Sequence, residues 1–144
     1  YKRQGKNGAH RGIAHEIVIN SDGLNHPIYK DKDKIFNTPA FNYDEVVTLP
    51  KDAILLSSNK VNNVMALNFE TEFSKIWGIQ YHPEITYEKM ITLIKFRKER
   101  LLENKSFLDE KDLESHISMI EKEDKITKKE SRMRELKNWL DLIA

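Results

Sequence analysis

At Thr86 the spacing of apolar residues along this 144-residue chain changes from two to between three and four. That switch restricts the chain to folds that build a sheet first and lay helices against it. Upstream, 13–19 alternates, with Ile13, Ile17 and Ile19 available to one face, and Asn20-Ser21-Asp22-Gly23 ends it as a turn. Short β-rich runs follow at 45–49, stopped by Pro50, and at 53–57, 64–69 and 75–81. Strands so closely spaced, with few helices between them, predict antiparallel or mixed pairing. Downstream, Met90, Ile91, Leu93, Ile94, Arg97 and Leu101 stand at helical spacing, with Thr86 as the cap. Leu113, Ile117 and Ile120 form a second stripe. Met133, Leu136, Leu140 and Ile143 form a third, with Trp139 beside it. The Lys/Glu-rich stretch 121–130 reads as a solvated turn or helix end.

Apolar residues make up 39% and charged residues 33%, which suits a folded globular domain and excludes wholesale disorder. With 24 basic against 23 acidic residues, the charge gives no reason to propose nucleic acid or an anionic membrane as partner. No apolar run reaches the length of a membrane span and nothing near Tyr1 reads as a secretion signal, so a cytoplasmic protein is expected. The chain contains no cysteine, so it can supply neither a disulfide nor a thiolate zinc site nor a thiol nucleophile. It starts at Tyr1 rather than Met and opens into a basic, Gly-containing stretch, 2–12, which reads as a cut through a larger protein.

The sharpest local feature is Trp77-Gly78-Ile79-Gln80-Tyr81-His82-Pro83-Glu84. In an extended segment, side chains two apart point the same way, so His82 and Glu84 can lie together. Pro83 has no amide hydrogen to give a ladder, which fits the end of a strand. A carboxylate there can accept a hydrogen bond from one imidazole nitrogen and leave the other to take a proton. By spacing alone, a packed histidine beside a solvated glutamate has the stronger claim. As a catalytic pair, the two still need a nucleophile.

The whole octapeptide says more. It closely resembles the G-[VIL]-Q-[FY]-H-P-E segment of class I (triad-type) glutamine amidotransferases, matched without a gap from Gly78 to Glu84. Leu49-Pro50-Lys51-Asp52-Ala53-Ile54-Leu55-Leu56-Ser57-Ser58-Asn59 is similar to the family's LP-x-x-A-x-x-L-A-x-[ST] stretch, and Val64-Met65-Ala66-Leu67 to its xQAF strand. Asp44-Glu45-Val46 resembles part of H-x-D-x-V, with Asn42 standing where that His is common. Arg134-Glu135-Leu136, with Asn138-Trp139-Leu140, looks like the C-terminal helix of a free-standing subgroup related to the amidotransferase domain of GMP synthase.

The resemblance implies an α/β fold with a mixed central sheet flanked by helices, flavodoxin-like, its N-terminal part missing. Residues 1–104 would be the C-terminal part of the amidotransferase domain, and 105–144 a helical extension packed on it. By the same resemblance, His82 is the general base and acid and Glu84 orients it. The family's Cys elbow is expected just before Tyr1, so this chain alone should be inactive. The implied reaction is hydrolysis of the glutamine side-chain amide, with ammonia passed to a synthetase partner and no metal or organic cofactor in that half. Two alternatives stand beside it: a γ-glutamyl peptidase-like hydrolase using the same triad, and a non-catalytic regulatory or interaction domain that lost the Cys.

Other candidates are weaker. His15-Glu16 has no second His at helical spacing, so no zinc-protease helix is expected, and His10 reads as an ordinary residue. His26-Pro27 resembles the family's HP[IL] loop and shapes a turn; His116 lies on a charged helix and reads as structural. Lys2, Arg3, Lys6 and Arg11 lack the interleaved aromatics of a nucleic-acid surface. No ATP-binding motif follows His82-Pro83-Glu84, which disfavours a fused synthetase of the usual layout.

Overall fold

The structure is a computed structural model that describes residues 2–5 and 7–144. Tyr1, and Lys6 of the basic cluster, lie outside them. Among the described residues nine strands come before the main helices: β1 (Lys2–Gln4), β2 (His10–Arg11), β3 (Ala14–Ile19), β4 (Ile35–Thr38), β5 (Phe41–Asn42), β6 (Asp44–Val46), β7 (Ile54–Ser58), β8 (Ala66–Glu70) and β9 (Lys75–Ile79). Between β3 and β4 lie a one-turn helix α1 (Ser21–Leu24) and a 3-10 turn, Pro27–Tyr29. Helices follow: α2 (Tyr87–Phe96), α3 (Lys98–Glu103), α4 (Glu110–Ile126), α5 (Lys129–Arg132) and α6 (Arg134–Ile143).

Five strands form one sheet in the order β4-β3-β7-β8-β9, and every pairing in it is antiparallel. β1 with β6, and β2 with β5, make two short antiparallel ribbons beside it. The α/β class holds, and the connections from β7 to β8 and from β8 to β9 are too short for crossovers, which makes those pairs antiparallel.

Ile13 does not share a face with Ile17 and Ile19. The register of β3 against β4 shifts between Ala14 and Ile17, where Glu16 takes a positive φ of 49° and gives its amide to Asn37 Oδ1 at 2.8 Å. The extra residue turns the alternation over. Ile17 and Ile19 therefore join Leu56, Met65, Ala66, Tyr29, Phe36 and Tyr81 in one core, with Trp77 and Ile79 against it. Ile13 packs instead with Tyr87, Ile94, Leu101, Phe107, Leu113, Ile117 and Ile120. That second core unites helices on both sides of residue 104.

Caps set the helix starts. Thr86 Oγ1 accepts from the amide of Lys89, as its position predicts. In α4, Asp109 accepts from the amide of Asp112 at 2.8 Å, while Asp112 reaches back to the amide of Leu108 at 2.9 Å. So capped, α4 runs on to Ile126, through most of the stretch that the sequence suggests as a solvated turn. Its charged residues cover the exposed face of a helix whose Leu113, Ile117 and Ile120 are buried.

α6 reverses the expected burial. Glu135 and Asn138 are buried, whereas Trp139, Leu140 and Ile143 are roughly half exposed. The reason is specific hydrogen bonding. Asn138 Nδ2 donates to the carbonyls of Ile28 (2.8 Å) and Lys30 (2.9 Å), which the 3-10 turn leaves without helical partners.

Candidate active site

β9 ends at Ile79, three residues short of His82, so the His-Pro-Glu segment is a turn rather than the last residues of a strand. Backbone bonds hold it in place. The amide of Gln80 donates to Met65 O (2.8 Å), that of His82 to Pro39 O (2.8 Å), and that of Ile85 back to His82 O (3.2 Å). Across this turn His82 Nδ1 lies 2.8 Å from Glu84 Oε1. An ionised carboxylate can only accept, so Nδ1 carries the hydrogen and Nε2 presents its lone pair. The side chains of His82 and Glu84 are 45% and 51% exposed, so the pair lies at the surface.

Asn42, in β5, is hydrogen-bonded directly to another histidine. Its Oδ1 is 2.6 Å from His10 Nδ1, and its Nδ2 reaches Asp44 O (3.3 Å) and Gln80 Oε1 (3.5 Å). Asn59 Nδ2 donates to His10 Nε2 (3.0 Å) and to His15 O (3.1 Å). His10 is thus 2% exposed with hydrogen on Nδ1, and Asn42 ties it to the segment leading into His82. This network joins residues far apart in sequence, so no local spacing announces it.

His26 and His116 are structural in their contacts. His26 Nδ1 accepts from the amide of Ile28 at 3.2 Å, and its ring meets Trp77 edge-on at 5.0 Å. His116 Nε2 donates to Arg11 O at 2.6 Å, with its ring against Phe107. A cavity of about 290 Å³ has His10, His15, His116, Arg11, Asn59 and Phe107 among its walls. Among the described residues no group of three or more His, Cys, Asp or Glu is arranged to hold a metal ion. None of the helices formed by described residues is long and apolar enough to cross a membrane.

Burial lowers the pKa of His10, His26 and His116 below the usual imidazole value of 6.5. The hydrogen bond that Asn42 Oδ1 accepts opposes the shift at His10, as the Arg11 carbonyl does at His116. In the unfolded chain these rings protonate near 6.5, so the folded state binds fewer protons just below it. Stability is therefore complete above pH 6.5 and lost as the pH falls through the folded values. The melting temperature is expected to hold down to about pH 6.5 and to drop on acidification below it, with a shallower slope in His10→Gln. A flat profile over that range would contradict the assignment.

Sequence reading gave Tyr81, Arg132 and Glu135 no part in holding the turn. Tyr81 O–H donates to Glu135 Oε1 at 2.9 Å, and Arg132 Nη1 bonds the carbonyls of Pro83 and Ile85. The only local hint is that Arg132 and Glu135 stand three apart, on one side of the helical stretch.

No family model matches the chain. Over 70 residues it is 33% identical to the γ-glutamyl-L-1-hydroxyisopropylamide hydrolase of a Pseudomonas species, a match covering 49% of this chain and 23% of that protein. Among solved structures it is similar to a glutamine amidotransferase from Thermotoga maritima, with a TM-score of 0.66 and 20% identity over 94% of this chain. The chain spans 52% of that structure, and the matched part is about a quarter of the hydrolase. By its architecture and this likeness, the chain has an α/β fold of the glutamine amidotransferase type.

Proposed function

We propose that this chain supplies the histidine and the carboxylate of a Cys–His–Glu centre that hydrolyses the side-chain amide of glutamine. One observation carries the reading: His82 Nδ1 is held on Glu84 at 2.8 Å, on a side chain that is 45% exposed. The chain has no cysteine, so the nucleophile is a thiol brought by a segment or subunit outside it. In this mechanism His82 Nε2 takes the proton of the thiol, the thiolate attacks the carboxamide carbon, and Nε2–H then gives that proton to the departing nitrogen as ammonia leaves. Water then attacks the γ-glutamyl thioester, with His82 taking its proton, and glutamate and the thiol are released. Glu84 fixes the tautomer and stabilises the imidazolium.

In this reading 1–104 carries the site and 105–144 packs on it, and ammonia passes to a synthetase partner. The glutaminase half needs no metal or organic cofactor. The sequence similarity to a γ-glutamyl amide hydrolase favours a second reading, in which the same centre cleaves γ-glutamyl amides and no ammonia acceptor is required. The test is to join the chain to its thiol-bearing part and compare ammonia release from glutamine with amine release from γ-glutamyl alkylamides. Faster turnover of glutamine is expected. The reverse order favours the second reading, and no turnover of either with the thiol present leaves a binding or regulatory domain.

A further inference from the structure

The helical end of the chain drives charged groups under the His-Pro-Glu turn. Arg132 is 8% exposed, and its Nη1 donates to the carbonyl of Pro83 and, at 3.0 Å, to that of Ile85. Those two carbonyls bracket Glu84. Glu135, 2% exposed, accepts from Tyr81 O–H (2.9 Å) and from Lys32 Nζ (3.1 Å), and Tyr81 immediately precedes His82. Tyr81 is further held by Tyr29, whose hydroxyl lies 2.9 Å from that of Tyr81 and 2.7 Å from Ser57 Oγ. Lys32 also donates to Ser131 O at 2.7 Å, which closes the network back onto α5.

Burying these charges is costly unless each is paired and bonded. A helix placed only to cover apolar surface would bury its leucines, yet this stretch buries Arg132, Glu135 and Asn138 and leaves Leu140 and Ile143 exposed. The bonds of Arg132 to Pro83 and Ile85 and of Glu135 to Tyr81 reach residues that flank the two candidate catalytic side chains, while Asn138 holds the 3-10 turn.

We propose that Arg132 and Glu135 are positioning residues of this site: Arg132 fixes the turn that keeps Glu84 on His82 Nδ1, and Glu135 fixes His82 through Tyr81. The catalytic meaning of the proposal rests on the function argued above; the geometric claim does not. With both held, imidazole and carboxylate stay in register although each is about half exposed. Without them, two solvated side chains on a surface turn have little to keep them together.

The test is the tautomer of neutral His82, read from imidazole nitrogen shifts in the ¹⁵N-labelled 144-residue chain. The wild type is expected to hold hydrogen mainly on Nδ1. In Arg132→Met that form should fall to the minority, while His10 and His116, bonded elsewhere, keep their signals. Arg132→Lys should restore it in large part, and Glu135→Gln should show an intermediate loss. An unchanged His82 tautomer in Arg132→Met, with only a lower melting temperature, overturns the proposal. Should Arg132→Met fail to fold, Glu135→Gln decides: an intermediate loss supports it and an unchanged signature overturns it. In the thiol-bearing protein the two ideas separate. A tautomer lost without Arg132, together with amide hydrolysis indifferent to His82→Ala, sinks the function and leaves the positioning intact.

Discussion

Replacing His82 with alanine, in a protein that joins this chain to its thiol, is expected to lower amide hydrolysis by about 10²–10⁴-fold. The size follows from the two jobs given to one nitrogen. Nε2 must hold the proton that the departing ammonia takes and then accept one from water, so both halves of the reaction lose their proton carrier. Substrate binding rests on other groups, so the loss should fall on kcat with KM little changed. Glu84→Gln should cost less, because a half-exposed carboxylate orients the ring without touching the substrate. The double variant should resemble His82→Ala, since Glu84 acts only through the ring. Steady-state ammonia release measures all three. A His82→Ala protein within a few fold of wild type would remove this centre from the chemistry.

The second large effect is on stability. Gly23→Ala is expected to destabilise the fold by roughly 3 kcal/mol or more, as overpacking against groups that cannot move does. A Cβ at Gly23 would lie 2.2 Å from the carbonyl oxygen of Leu56 and 2.6 Å from Ile19 Cγ2. The first is backbone in β7, inside the five-stranded sheet, so no rotamer change relieves it. The close approach is built in from both sides: Asn20 gives its amide to Leu56 O (3.0 Å) and its side chain to Leu55 O (2.7 Å). Asn20 Oδ1 in turn accepts from the amide of Gly23 at 2.8 Å, capping α1. Gly8→Ala serves as the control. Its φ is +112° and nothing lies within 4 Å of the added atom, so only backbone strain of about 1–2 kcal/mol is expected. Urea midpoints compare the two, and equal shifts would dismiss the steric argument.

Asn20-Ser21-Asp22-Gly23 illustrates how far local reading goes. Its residues do stop β3, but they do so by folding into the capped turn of α1, and Gly23 is there for contact rather than for a turn. Runs 53–57, 64–69 and 75–81 come out as β7, β8 and β9 within a residue or two, because alternation and flanking turn residues are local properties. The bulge at Glu16 is different. It depends on the amide of Glu16 meeting Asn37 on another strand, and one residue of shift sends Ile13 to a different core from Ile17.

What this sequence determined by itself was the order of strands before helices, the cap at Thr86, and the nearness of His82 to Glu84. All depend on atoms a few residues apart, which the chain's own geometry holds within reach. The tertiary structure alone decided which face of α6 lies inward and that Arg132 and Glu135 stand beneath the His-Pro-Glu turn. Periodicity says which side chains share a face of a helix; it carries no information about what that face meets. Here the carbonyls of Ile28, Lys30, Pro83 and Ile85 needed donors, and burying Arg132 and Asn138 to supply them outweighed covering Leu140 and Ile143.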